Sequence, residues 1–232
     1  MDPFRPDPFP AVDDAALAAA KAALRSRHRA ARRALDPAER TRQAEAAAEH
    51  LWPWLAPRLA AAREAGRTPV VATVLPMGSE PDTGPLRARL TEAGARVLVP
   101  VIEPARRLSW ADWTPEVPVA RAANAPVDEP TGPRHGPEVL TEAVLVLAPA
   151  LAVDRSGMRM GQGGGYYDRF LAGLPGSVPV VAHVFGHELL PAGEVPFEPT
   201  DRPVDGVLTA DGLTWLTAAE RPAGTVHLPD AQ

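Results

Sequence analysis

Residues 161–168 read Gly-Gln-Gly-Gly-Gly-Tyr-Tyr-Asp and follow a long apolar run. Backbone without Cβ atoms can approach a ligand closely, and successive bare N–H groups can converge on an anion. A helix starting there would add its positive end to the same field. The octet also holds both tyrosines of the chain, Tyr166 and Tyr167, and closes on an acid, Asp168, that could hold a cation. Glycine loop, aromatic hydroxyls and carboxylate together suggest a nucleotide-phosphate site. The two familiar phosphate motifs are absent. A dinucleotide fingerprint would need glycine at 166, and a Walker loop needs Gly-Lys-Ser/Thr. A plain strand-to-helix turn needs one or two glycines, not Gly161, Gly163, Gly164 and Gly165 together.

Other residues could share this chemistry. Of 24 basic residues only Lys21 is lysine. An isolated lysine is more often solvated than functional, but a compact ammonium meets phosphate as a point charge that arginine does not copy. Lys21, Arg25, Arg29 and Arg33 recur every fourth residue, so a helix would put them on one face. Met-Gly-Ser-Glu-Pro-Asp-Thr at 77–83 holds Glu80 and Asp82, which could hold a ring nitrogen or a metal, or simply cap a helix. In the segment 196–208, Asp201 and Asp205 lie four apart, but Pro199 and Pro203 forbid a plain helix, and a polar loop is the bland alternative. His183 and His187 straddle a strand end and do not read as a metal pair. No serine sits in a Gly-x-Ser-x-Gly elbow, so serine-triad hydrolysis has no support.

Elements must hold these residues in place. A helix is expected from Asp13 or Asp14 to about Ala34, and a second from Pro37, capped by Asp36 and ending near the Trp-Pro-Trp segment at 52–54. Short apolar runs follow at 70–75, 97–102, 143–152, 178–185 and 204–209, separated by helical patterns at 83–94 and after the octet. Such alternation predicts an α/β fold: three layers, a mostly parallel sheet, and helices on both faces in a Rossmann-like arrangement. Ligands collect at the carboxyl ends of strands in such sheets. Residues 103–140 read as strands or hairpins with irregular loops, with Trp110 and Trp113 better placed in the core than on substrate. The segments 1–13 and 218–232 read as a disordered and a flexible tail around one domain at 14–217.

Composition narrows the classes. The chain has 232 residues, 45% of them hydrophobic, and a net charge of −5. That balance argues against a nucleic-acid binder, so an anionic substrate needs a local basic patch. Absence of cysteine excludes disulfides and thiolate chemistry. No apolar run approaches the ~20 residues of a membrane span. A cytoplasmic monomer acting on small molecules is the expectation.

Taken together, these segments resemble the 5-formyltetrahydrofolate cyclo-ligase family from Lys21 to about Leu216. The most specific stretch is Pro149–Leu171, PALAVDRSGMRMGQGGGYYDRFL; KAALR at 21–25, MGSEPDT at 77–83 and VPFEPTDRPVD at 195–205 support it. Two departures stand out: Met160 where leucine is common, and Pro199-Thr200 where Glu-His is usual. The resemblance implies a fold related to sugar-phosphate isomerases and CoA-transferases. It implies that Lys21 and Arg25 contact ATP phosphates, and that Arg159, Gly161, Gln162, Gly163, Gly164, Gly165, Tyr166 and Tyr167 cradle the nucleotide. Gln162 to Tyr166 would also face the folate, with Met77, Glu80 and Asp82. Asp168 and Asp201 would hold Mg²⁺, and Lys21, Arg159, Tyr166 and Asp168 would act in catalysis. The implied reaction converts 5-formyltetrahydrofolate to 5,10-methenyltetrahydrofolate with ATP as co-substrate. The alternatives are a sugar-phosphate isomerase or CoA-transferase-like enzyme of similar fold, or a non-catalytic folate or nucleotide binder.

Overall fold

A computed structural model describes residues 14–122 and 127–216; the two tails read from the sequence lie outside them. Four helices are present: α1 (Asp14–Ala34), α2 (Pro37–Glu64), α3 (Gly84–Glu92) and α4 (Tyr166–Gly173). The strands are β1 (Val70–Ala72), β2 (Arg96–Glu103), β3 (Arg107–Trp113), β4 (Val119–Arg121), β5 (Asp128–Pro130), β6 (Leu145–Pro149), β7 (Ala152–Asp154), β8 (Arg159–Met160), β9 (Val180–His183), β10 (Leu189–Leu190), β11 (Gly206–Thr209) and β12 (Gly212–Trp215). Seven of them form the main sheet in the order β12-β11-β9-β6-β1-β2-β3. The five central strands run parallel, and β12 and β3 run antiparallel at the two edges. This is the expected α/β class, with β10-β7-β8 as a second small sheet and β4-β5 as a hairpin.

Both faces of the main sheet are buried, which is why its strands read as continuous apolar runs. Strand alternation sorts them cleanly. Val71, Leu145, Leu147, Val181 and Leu208 pack under Leu51, Leu55 and Leu59 of α2 and Leu86 and Leu90 of α3. Ala72, Val146, Ala148, Ala182 and Val207 face the other way, toward Phe170 of α4 and Trp110. Trp110 is fully buried against Phe170, so the core reading holds for it; Trp113 is half-buried at the edge beneath the Arg87 guanidinium.

Two expectations are corrected. Helix α2 does not stop near the Trp-Pro-Trp segment but runs through Pro53 and Pro57 to Glu64. Its buried stripe, Ala44, Ala47, Ala48, Leu51, Leu55, Leu59 and Ala62, continues at three- and four-residue spacing, while both prolines face solvent. Water can satisfy the carbonyls that lose their partners there, and packing outweighs the local cost. The run 143–152 is also not one strand. It divides after Pro149, and β7 leaves the main sheet to pair with β8 and β10.

The predicted cap of α2 is present: the Asp36 carboxylate accepts from the N–H groups of Ala38 and Glu39 at 2.8 and 3.3 Å, with Pro37 in the first turn. Helix α1 packs Leu24 onto the small sheet beside Met158, Met160 and Leu190. The rest of its buried stripe is largely polar: Lys21, His28 and Arg32. Arg32 donates to both oxygens of the buried Glu188 at 2.6 and 2.9 Å and to the Ala150 carbonyl. Glu188 also accepts from the Phe185 N–H at 3.0 Å, so the carboxylate pins α1 to the turn after β9.

Candidate active site

A cavity of about 720 Å³ opens where the carboxyl ends of the central strands meet α1 and the glycine loop. Val74 and Leu75 beyond β1, Ile102 near the end of β2, and Pro149 and Ala150 at the end of β6 line its floor. Such sheets collect ligands at this end. Six basic side chains, Lys21, Arg25, Arg106, Arg159, Arg169 and Arg202, line it with five acids, although the chain as a whole is net acidic.

The helical spacing of Lys21, Arg25 and Arg29 delivers one face to this cavity's edge. Lys21 is not the solvated lysine its isolation suggests. It is 9% exposed, and its Nζ donates to Asp201 Oδ2 at 2.7 Å and lies 3.5 Å from Glu198 Oε2. Arg25 Nε donates to the Gly161 carbonyl at 3.0 Å. Arg29 holds the Gln162 side-chain carbonyl at 3.0 and 2.7 Å. Burial first, and then the neighbouring Arg29, lower the Arg25 pKa; the opposite charge of an anion arriving here would offset that lowering.

The glycine loop turns from β8 into α4. Gly165 takes φ 67° at the N-cap, and no side chain caps the helix. The first-turn N–H groups are therefore left for a ligand. At Gly164 a Cβ would meet the Tyr166 ring at 2.7 Å, so only glycine lets that ring lie over the loop. Arg159 Nη2 donates to Asp168 Oδ1 at 2.7 Å, which ties the strand before the loop to the helix after it. Tyr167 lines the cavity but its hydroxyl is buried without a partner among the described residues, and burial raises its pKa far above the usual phenol range. It is a neutral group at any working pH.

Asp168 and Asp201 both line the cavity. Asp168 Oδ1 is also approached by the Arg202 N–H at 3.4 Å, which brings the 198–202 turn against α4. Asp201 Oδ2 accepts from the Glu198 N–H at 2.8 Å. Among the described residues, the hydrogen bonds engage one oxygen of each carboxylate. The donor set (two aspartates with Glu198 nearby) is hard oxygen, the chemistry a small divalent cation such as Mg²⁺ takes. Among the described residues, the trio that comes within metal-ligand spacing is a different one, His28, His187 and Glu188, but Arg32 already occupies both Glu188 oxygens.

Met77 and Glu80 also line the cavity. Glu80 Oε2 accepts from the Met77 N–H at 3.0 Å and Oε1 faces Gln162 Nε2 at 3.3 Å, bridging this loop to the glycine loop. Asp82 is the exception. It is exposed, lies outside the cavity lining, and accepts from the Gly84 N–H at 2.8 Å. Its carboxylate closes a tight turn onto the first residue of α3, whose N-cap is Thr83. Asp205 is likewise structural: it accepts from the Val180 N–H at 2.9 Å where β9 begins.

Sequence reasoning passed over Glu198, Arg106, Arg169 and Arg202. Glu198 sits three residues before Asp201 in a turn closed by the Asp201 N–H to Glu198 carbonyl bond at 2.9 Å, a spacing that could have marked it. The arginines carry no local signal in a chain that uses arginine almost everywhere.

The model of the 5-formyltetrahydrofolate cyclo-ligase family matches residues 17–210. The 5-formyltetrahydrofolate cyclo-ligase of Mycolicibacterium smegmatis is 40% identical over 176 residues, which cover 74% of this chain and 84% of that protein. The enzyme of that name from Escherichia coli K12 is 31% identical over 143 residues, 60% of this chain and 76% of its own length. Among solved structures, the 5,10-methenyltetrahydrofolate synthetase of Mycoplasma pneumoniae superposes with a TM-score of 0.64 at 19% identity, over 82% of this chain and 98% of that one. The Aquifex aeolicus synthetase gives 0.65 at 24% identity, over 84% and 92%. These two share the fold described above. With the family model spanning most of the described residues, the chain belongs to the 5-formyltetrahydrofolate cyclo-ligase family.

Proposed function

We propose that this chain converts 5-formyltetrahydrofolate to 5,10-methenyltetrahydrofolate, using ATP and Mg²⁺ and releasing ADP and phosphate. Family membership supports the activity. The observation that carries the finer reading is one cavity lined by Lys21, Arg25, a glycine loop at an uncapped helix start, two aspartates, Met77 and Glu80.

In this reading the nucleotide phosphates lie between α1 and the glycine loop. Lys21 and Arg25 supply positive charge, and the N–H groups of Gly163 to Tyr166 supply donors. Arg159 orders Asp168, and Lys21 orders Asp201, before either ligand arrives. Those two aspartates would hold Mg²⁺, which when bound offsets phosphate charge. The folate occupies the wall formed by Met77, Glu80 and the loop residues Gln162 to Tyr166. Its formyl oxygen attacks the γ-phosphorus, the bond to the β-phosphate oxygen breaks, and ADP leaves. Nitrogen 10 then attacks the activated formyl carbon and gives up its proton to solvent, and the carbon–oxygen bond breaks so that the former formyl oxygen departs with phosphate. Phosphoryl transfer asks mainly for position and charge neutralisation, so no side-chain nucleophile is required. The same reading takes the chain as a cytoplasmic monomer acting on small molecules alone.

Incubation of the purified protein with ATP, Mg²⁺ and 5-formyltetrahydrofolate tests it. The methenyl chromophore should appear only when all three are present. Binding of both ligands without product would support a non-catalytic binder instead, and no binding of ATP by calorimetry would support a phosphate-binding enzyme of another class.

A further inference from the structure

The hairpin joining β2 to β3 carries the two non-glycine residues with positive φ among the described residues, Ala105 at 58° and Arg106 at 57°. Left-handed backbone is unfavourable for side-chain-bearing residues and persists where its surroundings hold it. Here the hold is visible: Arg169 of α4 donates from Nη1 to the Ala105 carbonyl at 3.3 Å. The consequence is that Arg106 lines the cavity at the tip of the hairpin, beside Arg169, which lines it too. Neither guanidinium is ion-paired among the described residues, whereas Lys21 and Arg159 are. The same hairpin presents Pro100, Ile102 and Leu108 to the cavity.

The cavity is therefore graded. Charge needed for a triphosphate lies on α1 and the glycine loop. An apolar wall suited to flat rings follows along β2 and β3, and two unpaired guanidinium groups end it. Resting on the function proposed above, the geometry points to Arg106 and Arg169 as the residues that bind the carboxylates of the glutamyl tail of the folate. A planar guanidinium matches a carboxylate with two parallel N–H donors, and tail carboxylates lie beyond the ring system as this order requires. The strained turn then acts to aim Arg106 inward, where an unstrained hairpin turn would direct it elsewhere.

The test compares 5-formyltetrahydrofolate with 5-formyltetrahydropteroate, the same molecule without its glutamate. Both the KM ratio in turnover and the Kd ratio by calorimetry without ATP are read. The parent should prefer the glutamyl form. In Arg106→Gly, which removes the cation and keeps the left-handed turn unstrained, that preference should fall about tenfold, the size of one charge-assisted hydrogen bond. Arg106→Lys should restore part of it, and Arg169→Gln should lower it as well. An unchanged preference in Arg106→Gly overturns the assignment, as does a rise in the KM for ATP matching that for the folate. The two claims separate cleanly: a shifted Kd ratio without methenyl formation by the parent keeps the tail site and rejects the reaction, while normal turnover with an unmoved ratio rejects the tail site alone.

Discussion

In the proposed reading, Lys21 is the residue on which phosphate binding turns. Its ammonium stands between Asp201 and Glu198, so its loss would leave two acids facing the place that reading gives to the triphosphate. Lys21→Ala should raise the KM for ATP at least about tenfold, in line with one lost charge-assisted contact plus the repulsion it exposes. The KM for the folate should move much less. Initial rates over both substrates check this, and equal losses would count against the role given to Lys21. The sequence sets this residue apart as the one lysine among 24 basic residues, but isolation alone favours a solvated lysine, and its burial beside Asp201 shows only in the fold. Asp82 is less legible: an acid at a helix start looks the same whether it faces a ligand or a backbone N–H, and the structure puts this one outside the cavity lining, bonded to the Gly84 N–H.

At the scale of elements, the glycine loop and the polar stripe of α1 make separate predictions. Gly164→Ala puts a methyl against the Tyr166 ring, where 2.7 Å separates the atoms, and should cut turnover sharply while the protein stays folded with a modestly lowered melting temperature. Overpacking of this kind costs about 1–3 kcal/mol when neighbours can shift. A variant with parent-like turnover would remove the loop from the site. Glu188→Ala acts elsewhere. It strands Arg32, which is 1% exposed, and should destabilise the fold by about 3–5 kcal/mol. Denaturant titration reads that loss, and a loss under 1 kcal/mol would show that α1 is held by its apolar contacts instead. The helices and strands themselves were largely readable, because buried parallel strands and amphipathic periods leave plain patterns. The extension of α2 through two prolines was not, since the reason lies in leucines that find partners on the sheet. The Arg32–Glu188 pair was equally hidden: it joins positions 156 apart that have no local relation.

For the whole molecule, two buried histidines set a pH dependence. Burial is the largest cause lowering both His28 and His183 to about 4 from 6.5. Above pH 6.5 both states of the chain hold these rings neutral and the fold has its full stability. Between 6.5 and 4 the unfolded chain takes up protons that the folded chain refuses, so stability falls as pH falls. For His183 the loss across that window is roughly 3 kcal/mol. Melting temperature should therefore decline from pH 6.5 downward, and His28→Gln/His183→Gln should show a shallower decline. An equal decline in the double variant would place the acid sensitivity in the carboxylates.

The central claim is that one cavity brings the formyl oxygen of the folate to the γ-phosphate of ATP. Following an oxygen-18 label in the formyl group tests it most directly. The account predicts that the label is recovered in inorganic phosphate, with ADP and the methenyl product formed in equal amounts. Label recovered in water, or methenyl formed without ADP, would contradict it.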